Sequence, residues 1–443
     1  MPENRKAQSS TGKPAVTMDY NTPVLAVLIG VLAGGASSLF LWMLDLSGKV
    51  FSSGSLSALG IPADIHFMFL PFMPMFGGLI VGAICRFVPR AVEENGVHAV
   101  MHSIALKGSK ISGSTSFACA TNSALTIGSG GSAGRHGPMV QIGSAIGSRL
   151  GQLFSQPPER LRIFVGCGAA AGIAASFNAP LFGILFSLEV ILRDFRLPTF
   201  APIAISAVLG TMVSRSLEGN HRVLQISIGE WANYEEIVFY VLLGAVCGLV
   251  AALFIRVYSR TEHFFGEKFS THPALQPALG GLLVGILSIA APQILGSGYD
   301  FMQQVLNGGL FWGWALGLVM LKILATSATL GSGGLGGILA PSLFMGLLTG
   351  TACGAAIHAL FPGTAAETYA IVGMAAVAGA VMLAPLTNVL MLMEFTGGYP
   401  LLLPALTACV IASYTMRLFQ EHSIFFEKLL MLDIHIRRGA VKR

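Results

Sequence analysis

Apolar residues run for the length of a membrane crossing at 24–43, 67–85, 237–255, 277–294 and 399–419. Each run is long enough for a helix to span a hydrocarbon core of about 30 Å. Other apolar stretches are shorter or broken by glycine and proline, which predicts a mixture of complete and partial spans. The expected class is therefore an all-α integral membrane protein.

The pattern is also written twice. "VLIGVLAGG" (27–35) returns as "VLLGAVCGL" (241–249), and "GGLIVGAI" (77–84) as "GGLLVGIL" (280–287). "TIGSGGSAGRHGPMVQIG" (126–143) returns as "TLGSGGLGGILAPSLFMG" (329–346), and "NAPLFGILFSLE" (178–189) as "LAPLTNVLMLME" (383–394). The offsets of 214, 203, 203 and 205 keep four blocks in order with little slippage, which chance similarity between apolar segments does not produce. The organisation expected is a polar tail (1–21), one membrane domain (22–432) of two repeats (22–219 and 234–432), and a basic tail (433–443). Two halves of one membrane fold suggest a transporter or channel with its site at their interface, inverted if each half crosses an odd number of times.

The third block carries the candidate chemistry. Its shared form is a Gly-rich turn followed by an apolar helix, with Pro138 and Pro341 suited to a first helical turn, where no N–H partner is needed. Each copy predicts a helix that begins in mid-membrane. A helix N-terminus offers free N–H groups and about half a positive charge, so two converging ends make an anion site without a full counter-charge. Irregular backbone at that depth is tolerated only around a protein-lined cavity. Glycines that serve only close helix packing are the simpler alternative. They leave the paired Gly-rich turn and proline unexplained.

Composition agrees: 53% of the 443 residues are hydrophobic and 11% charged, against roughly a quarter charged in soluble domains. The first 21 residues lack a cleavage site and read as a retained tail. That tail carries Arg5, Lys6 and Lys13, and the other end carries Arg437, Arg438, Lys442 and Arg443. The positive-inside tendency puts both termini in the cytoplasm. The net charge of +5 fits membrane orientation, and no nucleic-acid partner is expected. Cys85, Cys119, Cys167, Cys247, Cys353 and Cys409 stand singly in apolar segments and read as buried hydrophobes. "HAVMH" places His98 and His102 one helical turn apart near Glu94, but no further ligand cluster supports a metal site. "GSGG" is followed by no G-K-[ST], and no G-x-S-x-G is present. Neither a cofactor nor an enzymatic activity is expected.

These blocks resemble the CLC family of chloride channels and proton-coupled chloride antiporters. The family's G-[KR]-E-G-P motif is matched by "GRHGP" (134–138), its G-x-F-x-P by "GILAP" (337–341), and the stretch after its gate helix by "AASFNAPLFGILFSLE" (174–189). Its G-S-G-I-P-E loop corresponds to "ENGVHA" (94–99). The resemblance covers nearly the whole chain. It implies a homodimeric inverted-repeat fold of tilted, broken helices in a bacterial inner membrane, with one pathway per subunit for chloride or a similar anion. It also implies that the chain ends, about 25 residues after its last apolar run, without the nucleotide-sensing domains of some relatives.

The departures carry more information than the matches. The gating glutamate is His136, the inner proton-transfer glutamate is Val190, the central tyrosine is Phe425 and the central serine is Asn95. The resemblance implies anion contacts from Asn95, Gly96, Val97, Arg135, His136, Gly137, Ile338, Leu339 and Phe425, with Ile338 and Leu339 acting through backbone N–H groups. Arg135 reads as a structural or field-setting cation rather than a direct ligand. A histidine offers a donor and an acceptor when neutral and a positive charge when protonated, but never a negative one. Uncoupled anion conduction, increased by acid, is the expectation. A coupled antiporter using His136 or Glu189 is the alternative. Glu189 and Glu394 are matched acids of the two repeats, which favours a role in bonding free backbone N–H groups.

Overall fold

The structure is a computed structural model. It describes residues 21–52, 54, 69–87, 95–220, 223–224, 226, 236–269, 271–308, 312–430, 436–437 and 440–441. The basic ends other than Arg437, together with Glu94, lie outside the described residues. The described chain is almost entirely helical, and eight of its helices are long and apolar enough to cross a membrane.

The first half contains α1 (Asn21–Val50), α2 (Met73–Phe87), α3 (Gly96–Leu106) and α4 (Gly113–Gly128). It continues with α5 (His136–Leu153), α6 (Pro158–Phe177), α7 (Pro180–Leu185) and α8 (Leu197–Glu218). The second half contains α9 (Ile237–Lys268), α10 (Gln276–Ala290), α11 (Tyr299–Leu306), α12 (Trp312–Gly331) and α13 (Leu339–Leu360). It closes with α14 (Ala366–Met382), α15 (Pro385–Thr396), α16 (Leu402–Phe419) and α17 (Ile424–Leu430). The apolar run at 67–85 yields a shorter helix than its length predicts. Leu70–Phe72 forms a 3-10 turn and α2 starts at Met73, with Pro74 in the first turn, where proline's missing N–H costs nothing.

The repeated "x-A-P-L" block is a helix stop and restart. Asn178 ends α6 and Leu383 ends α14, both in the left-handed conformation (φ 55° and 52°). Ala179 N–H then reaches back to the Ala174 carbonyl at 3.1 Å, and Ala384 N–H to Gly379 at 3.0 Å, closing each helix end. Pro180 and Pro385 begin the next helices. Asparagine accepts the left-handed turn readily, whereas a leucine there costs about 1 kcal/mol.

Helices α6 and α14 form the centre and are buried on almost every side, so their small residues decide how closely neighbours approach. Gly168 of α6 meets Gly143 of α5 so closely that a Cβ on Gly168 would lie 1.9 Å from the Gly143 carbonyl oxygen. The equivalent pair in the second half is Gly373 on α14 with Gly346 on α13, where the corresponding distance is 2.5 Å. All six cysteines are free, and every one except the half-buried Cys353 is buried.

Two acids tie the halves together. Glu394 on α15 accepts from the N–H groups of Leu181 and Phe182 at the start of α7, at 2.9 and 2.8 Å. Glu189, just beyond α7, accepts from Leu386 and Thr387 at the start of α15, at 3.4 and 2.7 Å. A carboxylate at a helix N-terminus satisfies orphan donors and faces the positive end of the dipole. The exchange is reciprocal between equivalent positions, as a two-fold relation between the halves requires.

Glu394→Ala leaves two helix-start N–H groups without this acceptor, an expected cost of about 2 kcal/mol; a melting temperature in detergent equal to that of the parent would contradict this. Gly168→Ala is expected to lower that temperature by several degrees through overpacking of about 1–3 kcal/mol. Gly35→Ala, where nothing lies within 4 Å of the added carbon, serves as the neutral control.

Candidate functional site

The two Gly-rich turns, 129–135 and 332–338, meet at the centre of the molecule and bond to each other in register. Ser132 N–H donates to Thr329 Oγ1 at 3.0 Å, and Leu335 N–H, its equivalent, to Thr126 Oγ1 at 3.3 Å. Gly134 and Gly337 then exchange backbone hydrogen bonds, N–H to carbonyl, at 2.7 and 2.6 Å. Gly130 and Gly333 have φ of 102° and 91°, a region that only glycine enters without strain. The turns launch α5 and α13 with Pro138 and Pro341 in the first turns, and neither N-cap residue, Arg135 or Ile338, caps its helix with its side chain.

Up to this point each contact has its mirror. His136 and Leu339 occupy equivalent places, and here the symmetry breaks. Leu339 N–H donates to His136 Nε2 at 3.2 Å, so the imidazole of one helix start caps the other. Because Nε2 accepts, the hydrogen-bond network assigns the proton of the neutral ring to Nδ1. His136 is fully buried and its Nδ1 has no hydrogen-bond partner among the described residues. Gly337 makes room for the ring: a Cβ there would lie 2.4 Å from His136 Cε1.

Beside this contact lies a cavity of about 40 Å³, space enough for one small ion or very few waters. Asn95, Gly96 and Val97 line it from the start of α3, His136 and Gly137 from α5, and Ile338 and Phe425 join them, seven of the nine residues implied by the sequence. The structure thus gathers on one wall seven residues drawn from four separated segments.

Three of the nine residues implied as anion contacts are held otherwise in this structure, Arg135 in the structural place the sequence reading preferred for it. Arg135 does not line the cavity; its guanidinium lies over the rings of Phe177 and Tyr299, 5.5 and 5.2 Å from their centroids, where cation–π attraction holds it. Gly96 lines the cavity, but its N–H donates to Gln141 Oε1 at 2.6 Å and is not offered to a ligand. Leu339 is buried off the wall, and its N–H is engaged by His136.

Val190 and Glu189 line a separate and much wider crevice, shared with Arg193, Arg417, Glu421 and His422. Sequence reading missed Tyr258 and Lys428 as cavity residues, and it placed His98 in a metal motif rather than on this wall. An isolated lysine in the apolar "FFEKLLML" was the available signal for Lys428. Tyr258, inside the long α9, carried none.

The arrangement is a pair of opposed helix N-termini around a small cavity, with an imidazole in the position of a plug. Residues 77–417 match the family described as voltage gated chloride channel. A ClcB-like chloride channel protein of Ralstonia nicotianae is 33% identical over 363 residues, covering 81% of this chain and 84% of that one. The voltage-gated ClC-type chloride channel ClcB of Salmonella typhimurium is 31% identical over 409 residues, 91% of this chain and 97% of its own. The fold is shared with the crystal structure of a slow cyanobacterial Cl⁻/H⁺ antiporter, with a TM-score of 0.84 at 23% identity over 94% of this chain and 99% of that one. The chain belongs to the CLC family and is a multi-pass membrane protein of anion transport.

Proposed function

We propose that the protein is an uncoupled channel, passing chloride or a similar small anion down its gradient, and that His136 is its gate. The observation that carries this reading is the hydrogen bond from Leu339 N–H to His136 Nε2. A neutral imidazole competes with an anion for the helix-end N–H through its lone pair, which the sequence reading did not anticipate. It does so without charge, so ring displacement by the anion requires no proton to arrive or leave. Protonation at Nε2 removes the acceptor, frees Leu339 N–H and adds a positive charge that attracts the anion. Acid therefore favours the open site.

The proton side supports the same reading. Val190 has no titratable group, and both oxygens of Glu189 are occupied by the start of α15. ClcB of Salmonella typhimurium, a relative at 31% identity, is named a channel. We place the protein in a bacterial inner membrane as a homodimer with both termini cytoplasmic, on the basic ends and the family resemblance.

In liposomes with a chloride gradient, simultaneous chloride and pH recording is expected to show chloride efflux without stoichiometric proton movement. A fixed proton-to-chloride ratio would mean coupled antiport instead. Chloride flux is expected to rise as pH falls, and His136→Ala to abolish that rise. Gly337→Ala, whose added carbon displaces the ring, is expected to raise flux at neutral pH and to flatten the acid response. An acid response unchanged in His136→Ala would remove the histidine from gating.

A further inference from the structure

We propose that Lys428, with His98, forms a side-chain half of the anion site: a fixed cation and an imidazole donor that draw a chloride-sized monovalent anion into the cavity. The inference rests on the reading that the chain passes anions.

Three features point to it. First, Lys428 lies one turn beyond Phe425 on α17 and lines the same cavity as His136. Its ammonium is fixed by Glu262 Oε1 at 3.1 Å and donates to the Tyr258 hydroxyl oxygen at 3.4 Å. Tyr258 is on the cavity wall and Glu262 is not, so of the charged pair only the cation belongs to the lining. Second, His98 is 6% exposed, lines the cavity, and its Nε2 has no hydrogen-bond partner among the described residues. A buried imidazole nitrogen without a partner is costly unless a ligand or water meets it. Third, two of the backbone donors expected at the site are engaged elsewhere: Gly96 N–H by Gln141 and Leu339 N–H by His136. With those two N–H groups engaged, Lys428 and His98 add side-chain donors to the backbone donors that Val97 and Ile338 leave at the cavity.

A buried charge pair normally reads as a structural tie, and Lys428 does connect α17 to α9. The tie alone does not require Lys428 to line an open cavity, nor does it account for the bare nitrogen of His98 in the same lining. Arg193, whose guanidinium lies 4.0 Å from the ring centroid of Phe426, adds a further cation beside the same helix.

Electrostatics and packing give opposite signs in one experiment, chloride flux from liposomes as a function of chloride concentration. Lys428→Met removes the attracting charge and is expected to raise the half-saturating concentration about tenfold, while Lys428→Arg keeps it near the parent value. Glu262→Gln removes the opposing charge and is expected to lower it about threefold. His98→Leu is expected to raise it about threefold. A purely structural pair would weaken the protein in both charge variants without moving half-saturation in opposite directions. Unchanged half-saturation in folded Lys428→Met, or a shift of the same sign in Glu262→Gln, would overturn the proposal. If Lys428→Met does not fold, Glu262→Gln and His98→Leu carry the test. Chloride-dependent melting shifts in detergent should rank the variants in the same order. They read binding alone, so a parent protein that binds chloride but conducts none overturns the functional reading and leaves this one standing.

Discussion

The structure turns on one contact: the paired hydrogen bonds between the backbones of Gly134 and Gly337. Two polar turns deep in an apolar molecule each have donors and acceptors that must be satisfied. Each turn satisfies the other, because the two were written from the same pattern and meet face to face. Ser132 and Leu335 extend the exchange on one side through Thr329 and Thr126. Further out, Glu189 and Glu394 repeat the same device with carboxylates on helix starts. The halves are therefore joined by matched polar contacts, while α6 and α14, buried nearly all round, supply the apolar packing around them.

Function enters where the matching fails. A perfectly symmetric pair at 136 and 339 would give two equal helix ends with equal claims on any ligand. The chain instead places a ring that accepts hydrogen bonds on one side and leucine on the other. One N–H is then conditionally available, and the cavity beside it is lined unequally by the start of α3 and by α17.

Much of this was legible in the residues because it depends on local chemistry. The repeat offsets, the prolines at 138 and 341, and the glycines that permit φ near 100° at 130 and 333 fixed where helices start. The matched acids at 189 and 394 were readable as partners of backbone N–H groups. What escaped depends on which side chain happens to arrive from a distant segment. Gln141 takes the Gly96 N–H across 45 residues. Phe177 and Tyr299 capture Arg135 from two different halves. Tyr258 reaches the cavity from a helix with no motif to announce it, and Lys428 was marked only by its charge in an apolar stretch. The resemblance named the positions, and tertiary packing decided which donors remain free at them.

The clasp at Gly134 and Gly337 also divides the motions available to the molecule. Separating the helix starts would break both backbone bonds at once and leave four buried polar groups without these partners, so it belongs with slow collective rearrangements of microseconds or longer. The His136 ring hangs outside that clasp on one hydrogen bond. Its rotation moves one side chain and leaves both backbone bonds in place. On the channel reading proposed above, brief interruptions and long silences have separate mechanical origins, one in a ring and one in the frame that holds it.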